Sequence, residues 1–312
     1  MLKKIGLMFV VLIGVYTIVF LLCIAAPGDP ARLAMGRADN PEARAILREK
    51  WGLNEPLYVQ YYTTLKSLVT LDFPRSFRYR EDVGDLVAAR LPRTIFLGVI
   101  AIGVSVLIAV PAGVVSAYKH NSIIDNITMV ASQIGVATPN FWLGLMLIVV
   151  FYTKLGWFEI GAPDALLSLE GFSKVTLPAI TLGTGMAAVT ARLTRSSMLG
   201  VIREEYIMTA RAKGLTEKVV ILKHAFRNAL LPVVTVVGLQ FPLIVGGAVL
   251  TEVVFGWHGL GQLYISSIAA RDYPVIVTTT LLFAFGVVLI NLIVDLLYSV
   301  IDPRVKYERV ST

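Results

Sequence analysis

The sequence predicts an all-α polytopic membrane protein. Of its 312 residues, 56% are hydrophobic, and the mean hydropathy of +0.74 is too high for an ordinary soluble domain. Six apolar runs are each long enough to cross a bilayer, because about 20 helical residues span its hydrocarbon core. We expect each run to form one transmembrane helix. The runs cover approximately residues 5–26, 94–117, 127–152, 176–198, 233–254 and 275–301.

The first run predicts an uncleaved anchor over residues 1–26. Lys3 and Lys4 precede it, and it is longer than the apolar part of a secretory signal, which has about 7–15 residues. The small residues Ala25 and Ala26 are followed directly by proline, which makes a poor cleavage site. We therefore expect a cytoplasmic amino terminus and a helix that ends at the Pro-Gly-Asp-Pro sequence of residues 27–30.

Residues 27–93 predict an extracytoplasmic helical segment, since they are polar and contain no membrane-length apolar run. Asn40 and Pro41 are typical of an N-cap and first helical position, which predicts a helix through Lys50. Pro56 opens a second helix. The segment is interpreted either as a small helical cap with a solvated charged face or as a platform for a soluble substrate-binding protein.

Residues 94–301 are expected to form a core of five transmembrane helices, oriented by the charges between them. The basic residues at 119–120 and 192–227 predict inner loops, and the loops at 154–174 and 252–274 are expected outside. Under the positive-inside rule the carboxyl-terminal tail, residues 302–312, is then cytoplasmic like the amino terminus.

Other residues in the apolar runs predict packing features and candidate polar sites. Cys23, the only cysteine, is expected to be a small packing residue, and Pro139 predicts a kink. An ionisable residue such as Asp295 is costly in a span unless it faces water or the bundle, although it could also extend to the interface. Gln133 and Thr251 are possible pathway or packing residues. The candidate pathway residues are Asn140, Gln240, Asn291 and Asp295.

A polar, basic stretch from Glu204 to Pro232 interrupts the apolar sequence. It predicts two short helices: one over about residues 203–213, and a second whose stripe of Val219, Leu222, Phe226 and Leu230 faces one side. Gly214 separates them, and Thr216 offers an N-cap oxygen. Such an element is a plain topology signal, a helix pair on lipid headgroups, or a docking site for a partner protein.

The residues of this stretch resemble the EAA motif of binding-protein-dependent ABC importer permeases. Thr209–Gly214 (TARAKG), His224, Arg227–Asn228 and Pro232 match the form found in the oligopeptide/dipeptide/nickel permease family. The spacing from glycine to proline is longer than in the general motif, and no literal EAA triplet occurs. Four further blocks resemble the family: PGDPA, WGLNEPLYVQYY, ATPNFWLG and FGWHGLGQL…RDYP. Residues 72–76 depart from the glycine-rich turn expected there.

The resemblance implies six transmembrane helices in a type I ABC importer permease fold (MetI-like), of the first-permease type. It implies that residues 199–232 form a cytoplasmic coupling segment. ATPase coupling would involve Arg203, Glu204, Glu205, Tyr206, Thr209, Ala210, Arg211, Lys213 and Gly214. Support for the coupling loop would come from His224, Arg227, Asn228 and Pro232.

The resemblance also implies the partners of the chain. They are a second permease in a heterodimer, two cytoplasmic ABC ATPase subunits and an extracytoplasmic substrate-binding protein, assembled in a prokaryotic cell (inner) membrane. ATP and Mg would be bound by the ATPases and no cofactor by this chain. The expected mechanism is alternating access driven by the ATPases, with di- or oligopeptides as substrates. Nickel complexes, glutathione and oligosaccharides are alternative substrates in the same family.

Several other functions lack the residues they require. No glycine precedes a lysine, so the chain has no GxxxxGK[ST] phosphate loop and is expected not to be an enzyme that hydrolyses ATP. There is no HExxH, and the three histidines are scattered, which predicts no metal site. No nucleic-acid partner is expected. The alternatives are a self-contained secondary transporter or channel and, more remotely, an intramembrane hydrolase using Ser196 or Ser197.

Overall fold

The structure is a computed structural model that describes residues 2–36 and 40–301, with the side chains of residues 6–36, 40–240 and 248–294. Within these ranges the regular secondary structure is helical, apart from one isolated antiparallel bridge between Arg75 and Asp82. The expected tail at 302–312 lies outside the described residues. The helices form two compact units: one holds residues up to Ile95 and Trp257–Val288, the other Phe96–Gly256 and the residues from Leu289.

The first unit begins with the predicted anchor and the polar segment. Its helices up to the second apolar run are α1 (Leu2–Ala25), α2 (Pro30–Met35), α3 (Pro41–Lys50) and α4 (Leu57–Thr70). The Asn40 side chain caps α3 by accepting from the Glu42 amide, and α4 follows Pro56, so both predicted helices are confirmed. The next helix, α5 (Val83–Tyr118), runs from this unit into the second one.

The later part of the first unit contains α13 (Leu260–Ala270) and the start of α14 (Tyr273–Ile301). Asp272, which is fully buried, accepts hydrogen bonds from the Ser76 hydroxyl and from the amides of Phe77 and Arg78. The indole of Trp257 donates to the Arg93 carbonyl at 3.0 Å. These bonds fix the loop at residues 76–78 and the α13–α14 connection within one unit.

The second unit is arranged around α8, a helix of 34 residues. Its helices are α6 (Ile123–Ala137), α7 (Asn140–Leu147, continued by a π-helix at Ile148–Lys154), α8 (Leu169–Ile202), α9 (Glu205–Ala212), α10 (Glu217–Val219, continued by a π-helix at Val220–Ala225), α11 (Phe226–Leu239) and α12 (Phe241–Phe255). α8 approaches α5 closely: a Cβ added to Gly183 would lie 2.8 Å from the Ala101 carbonyl oxygen, and one on Gly113 2.7 Å from that of Ala191. Glycine therefore permits this packing.

Four described helices are long and apolar enough to cross a membrane: those at Gly6–Ala25, Val83–Tyr118, Glu217–Leu239 and Tyr273–Val294. The pair α6 and α7 would make a fifth. It is bent by 101° beside Pro139, where a kink was predicted. α8 covers the expected span at 176–198, but its threonines and glycines lower its mean hydropathy. A helix that is buried among other helices can contain such residues. α11 and α12 together cover the expected span at 233–254.

Candidate docking surface

Helix α9 packs one side onto the second unit and leaves the other exposed. Ile207 and Ala210 are buried in a cluster with Ala117 at the end of α5, Met198 on α8 and Val220. Positions 207 and 210 lie three residues apart and hence on one helical face. The cluster fixes the orientation of α9 against helices α5 and α8.

A hydrogen bond between side chains links α9 to α11. The Asn228 amide donates to the Tyr206 hydroxyl at 2.7 Å and also lies 3.3 Å from the His224 carbonyl. Tyr206 and Asn228 are 22 residues apart in the chain, so this bond holds the beginning of α9 beside the beginning of α11.

The turn after α9 requires glycine and is closed by an ion pair. Gly214 has φ +78°, in the left-handed region that other residues rarely adopt, and its amide donates to the Arg211 carbonyl. Across the turn the Arg211 guanidinium binds both carboxylate oxygens of Glu217, at 2.8 and 3.2 Å. The pKa of Arg211 is raised above its usual value, because the hydrogen bonds to the Glu217 carboxylate stabilise the charged guanidinium. The predicted glycine break is thus confirmed.

The apolar stripe predicted on the second helix is not one uniformly buried side. Val219 and Leu222 are exposed, Phe226 and Leu230 are half-buried, and the fully buried residues are Val220, Ile221, Ala225 and Ala229. The π-helix at Val220–Ala225 changes the spacing of the side chains within and after it, because its wider turn holds one extra residue. Thr216 occupies the N-cap position of α10, but its side chain makes no capping hydrogen bond, contrary to prediction.

Most predicted coupling residues lie together on the exposed side. Ala210 is the exception, since it is buried and acts in packing. The surface formed by the exposed residues of 203–222, called here the α9 surface, mixes charges with exposed Tyr206, Met208 and Leu222. Of the predicted supporting residues, Asn228 makes the bond described above, Arg227 is exposed, His224 is half-buried and Pro232 lies inside α11. The exposed predicted coupling residues are Arg203, Glu204, Glu205, Tyr206, Thr209, Arg211, Lys213 and Gly214.

The α9 surface combines exposed apolar side chains with charges of both signs. Among the residues that the structure describes, no three His, Cys, Asp or Glu side chains come together as a metal site would require.

Two of the four candidate pathway residues lie against α8. The Asn140 side-chain oxygen is 3.2 Å from a Cβ added to Gly185, and the buried Gln240 amide donates to Thr190 Oγ1 at 3.0 Å. The Gln240 oxygen is buried without a hydrogen-bond partner among the described residues. Asn291 is exposed on α14, and the side chain of Asp295 lies outside the described part of that helix.

The sequence analysis missed a buried ion pair near the carboxyl-terminal end of α8, the end that leads into α9. The Asp125 carboxylate is 2% exposed and accepts from Arg195 Nε at 2.6 Å and Nη2 at 2.8 Å. It also accepts from the Ser116 hydroxyl and the Asn121 amide and contacts His120. The sequence signal for this pair was the position of Asp125 and Arg195 at the edges of two apolar runs, where opposite charges can meet. The pair brings the loop at residues 119–120, predicted to be an inner loop, against the carboxyl-terminal end of α8.

Comparison with protein families identifies the chain. Residues 109–307 match the family described as binding-protein-dependent transport system inner membrane component, and residues 1–98 match the N-terminal membrane component of such systems. The chain belongs to this transporter family. It is therefore a membrane component of a transport system and not an enzyme.

Relatives of this permease share its full length. The oligopeptide transport system permease protein AppB of Bacillus subtilis is 43% identical over 302 residues, which cover 95% of this chain and 96% of AppB. The dipeptide transport system permease protein DppB of Alkalihalophilus pseudofirmus is 43% identical, with 98% of both chains covered. The glutathione transport system permease protein GsiC of Escherichia coli is 40% identical, with 94% of both chains covered.

Solved structures place the permease in the ABC importer permease fold. The MetNI methionine ABC transporter in inward-facing conformations matches with a TM-score of 0.53 and 19% identity, covering 70% of this chain and 96% of that chain. An amino acid ABC transporter matches with a TM-score of 0.51 and 16% identity, covering 71% and 94%. The predicted fold class, an all-α polytopic protein of the type I importer kind, is confirmed.

Proposed function

We propose that the chain is a transmembrane permease subunit of an ATP-driven importer for di- or oligopeptides, which docks on an ATPase through its α9 surface. The exposure of α9 supports this proposal. One side of the helix is buried on the ends of α5 and α8, and the opposite side exposes charged residues with Tyr206 and Met208. A helix with that division of burial binds a partner in a groove.

The proposed partners complete the assembly. They are a second permease in a heterodimer, two ATPase subunits that bind ATP and Mg, and an extracytoplasmic substrate-binding protein. We place residues 199–232 and both termini in the cytoplasm, the anchor at 1–26, the extracytoplasmic segment at 27–93 and the five-helix core at 94–301. The Asp125–Arg195 pair supports a common side for the 119–120 loop and the α9 end of α8.

In the proposed mechanism, closure of the ATPases displaces α9. Because α9 is packed on the ends of α5 and α8 and bonded to α11, the displacement moves these helices together. The permease then changes between inward- and outward-facing states, which is alternating access by motion of rigid elements. Asn140 and Gln240 beside α8 are the proposed pathway residues nearest to this motion, with Asn291 and Asp295 on α14 as further candidates.

Peptides are the proposed substrates because relatives at 40–43% identity are named for oligopeptide, dipeptide and glutathione transport. The three substrates share the peptide bond, glutathione being itself a modified tripeptide. Nickel complexes and oligosaccharides remain the alternatives to be screened.

The test begins with purification of the tagged chain from its native membrane in mild detergent. We expect phosphate-loop ATPases and a second permease to co-purify. Reconstituted in liposomes with the binding protein, the complex should take up labelled dipeptide or oligopeptide only with ATP. Replacement of the phosphate-loop lysine in the ATPases is the control that should abolish uptake. A chain that purifies alone and moves solute without ATP would instead be a secondary transporter or channel.

A further inference from the structure

A cavity of about 730 Å³ lies beside the last turns of α1, within the first unit. Phe20, Cys23 and Ile24 of α1 form an apolar wall, and Val277 of α14 extends it. The other wall, called here the polar wall because it holds the charged lining residues, comes from the polar segment; it includes Lys50 and the loop after α4, together with the apolar Leu47, Leu53 and Val59. The volume is that of a small-molecule site, and all of its charged lining residues come from the polar segment.

The apolar wall continues into an exposed apolar surface of the predicted anchor helix α1. Only 17% of the most apolar stretch of α1 is buried, and Ile18, Leu21 and Leu22 are 55–63% exposed. Ile24 belongs both to this exposed surface and to the cavity wall. A molecule whose apolar part lies along α1 can therefore enter the cavity from the bilayer without crossing water.

The polar wall is basic. Lys50, Arg75 and Arg80 are exposed, and their side chains make no hydrogen bond or ion pair with other described residues. Glu55 is the one acidic residue among the described residues that line the cavity. Three cations against one anion favour a ligand with negative charge at this end.

Two stacked aromatic rings lie in the cavity lining. Trp51 lines the cavity and stacks on Phe77 with ring centroids 4.0 Å apart. Tryptophan favours the membrane–water interface, where its ring contacts both apolar and polar groups. A tryptophan that directly follows Lys50 in the lining therefore suits a site where acyl chains meet headgroups.

We propose that this cavity binds an anionic phospholipid. One acyl chain lies along Phe20, Cys23 and Ile24, and the phosphate is held by Lys50, Arg75 and Arg80. The site would hold the anchor and the polar segment together, and it does not depend on which solute the permease transports.

The first test is native mass spectrometry of the full chain with its co-purified partners, titrated with phosphatidylglycerol or phosphatidylcholine. We expect preferential retention of phosphatidylglycerol, and a loss of that preference by about 10-fold or more in K50Q/R75Q/R80Q, because each basic residue near a lipid headgroup contributes to the attraction. K66Q is the matched control, since Lys66 is exposed on α4 and does not line the cavity. The three changed residues are exposed, and single variants should each give a smaller loss.

The second test uses the fluorescence of Trp51. Brominated phosphatidylglycerol should quench a component that brominated phosphatidylcholine does not, and Trp51→Phe, which keeps the aromatic stack, should remove that component. Equal retention of both lipids, or unchanged preference in the triple variant, would overturn the proposal. Competition by glycerol phosphate as strong as that by the lipid would show a plain anion site, and displacement by a peptide substrate would assign the cavity to transport; either result also overturns it.

Discussion

At the scale of single residues, the most consequential contact is the ion pair between Asp125 and Arg195. Both oxygens of a carboxylate that is 2% exposed bind one guanidinium, and a hydroxyl and a backbone amide saturate it further. Such a pair is weak evidence for net stabilisation, but removing one member leaves the other charge without its partner. The pair therefore sets the position of the 119–120 loop against α8.

Asp125→Asn should destabilise the chain by about 3 kcal/mol, because it leaves the largely buried Arg195 uncompensated. The measurement is the midpoint of thermal unfolding in detergent. Glu159→Gln is the control, since Glu159 is 64% exposed and its change should stay within about 0.5 kcal/mol. Equal midpoints for the two variants would contradict this view of Asp125.

At the scale of elements, helices α9 to α11 show what sequence can and cannot predict. The break at Gly214 was predictable because a positive φ at a helix end selects glycine. The face of the second helix was not, because a π-helix has no residue signature and shifts every following position. The Asp125–Arg195 pair was missed for another reason: the contact joins residues 70 positions apart.

Gly214→Val should lower ATP-dependent uptake by about tenfold, while the external binding protein still binds its ligand. A β-branched residue in the left-handed region costs about 1–2 kcal/mol, which disfavours the turn between α9 and α10. The assay is uptake by reconstituted liposomes. Gly103→Val is the control, because Gly103 is helical, nothing lies within 4 Å of its added Cβ, and it lies outside residues 199–232. Normal uptake by G214V would remove the turn from the mechanism.

Two adjacent substitutions separate the observed helix face from the face expected from periodicity. Ile221→Asn should destabilise the chain by about 2–4 kcal/mol, since it places an amide in the apolar cluster. Leu222→Asn should leave stability within about 0.5 kcal/mol, since Leu222 is 50% exposed. Thermal unfolding of both variants is the measurement, and the reverse order of stability would restore the predicted stripe.

At the scale of the whole molecule, the all-helical class followed from hydropathy, and the helix boundaries largely agreed. The expected runs lie in α1, α5, the bent pair α6–α7, α8, the pair α11–α12 and α14. Four helices, or five with the bent pair, meet the length and hydropathy of a span within the described residues. α8 falls short because its buried position allows threonine and glycine. Burial depends on the assembled bundle and cannot be read from one stretch of sequence.

The proposed orientation can be measured by cysteine labelling. In a variant whose only native cysteine is removed by Cys23→Ala, Lys218→Cys should react with an impermeant maleimide only after the membrane is opened. Leu167→Cys, at a site that is 82% exposed in the native chain, should react in intact cells. The parent C23A protein is the unlabelled control. Labelling with the two sides exchanged would invert the proposed topology.

The bond between Tyr206 and Asn228 has a consequence for the evolution of this chain. Each side chain contributes to this hydrogen bond only while the other is present. Replacing one residue therefore removes most of the stabilisation that the other provides. A lineage that replaces the tyrosine by phenylalanine is freed from keeping the asparagine. Substitutions at the two positions should therefore accumulate jointly among descendants of a common ancestor, although 22 residues of chain separate them.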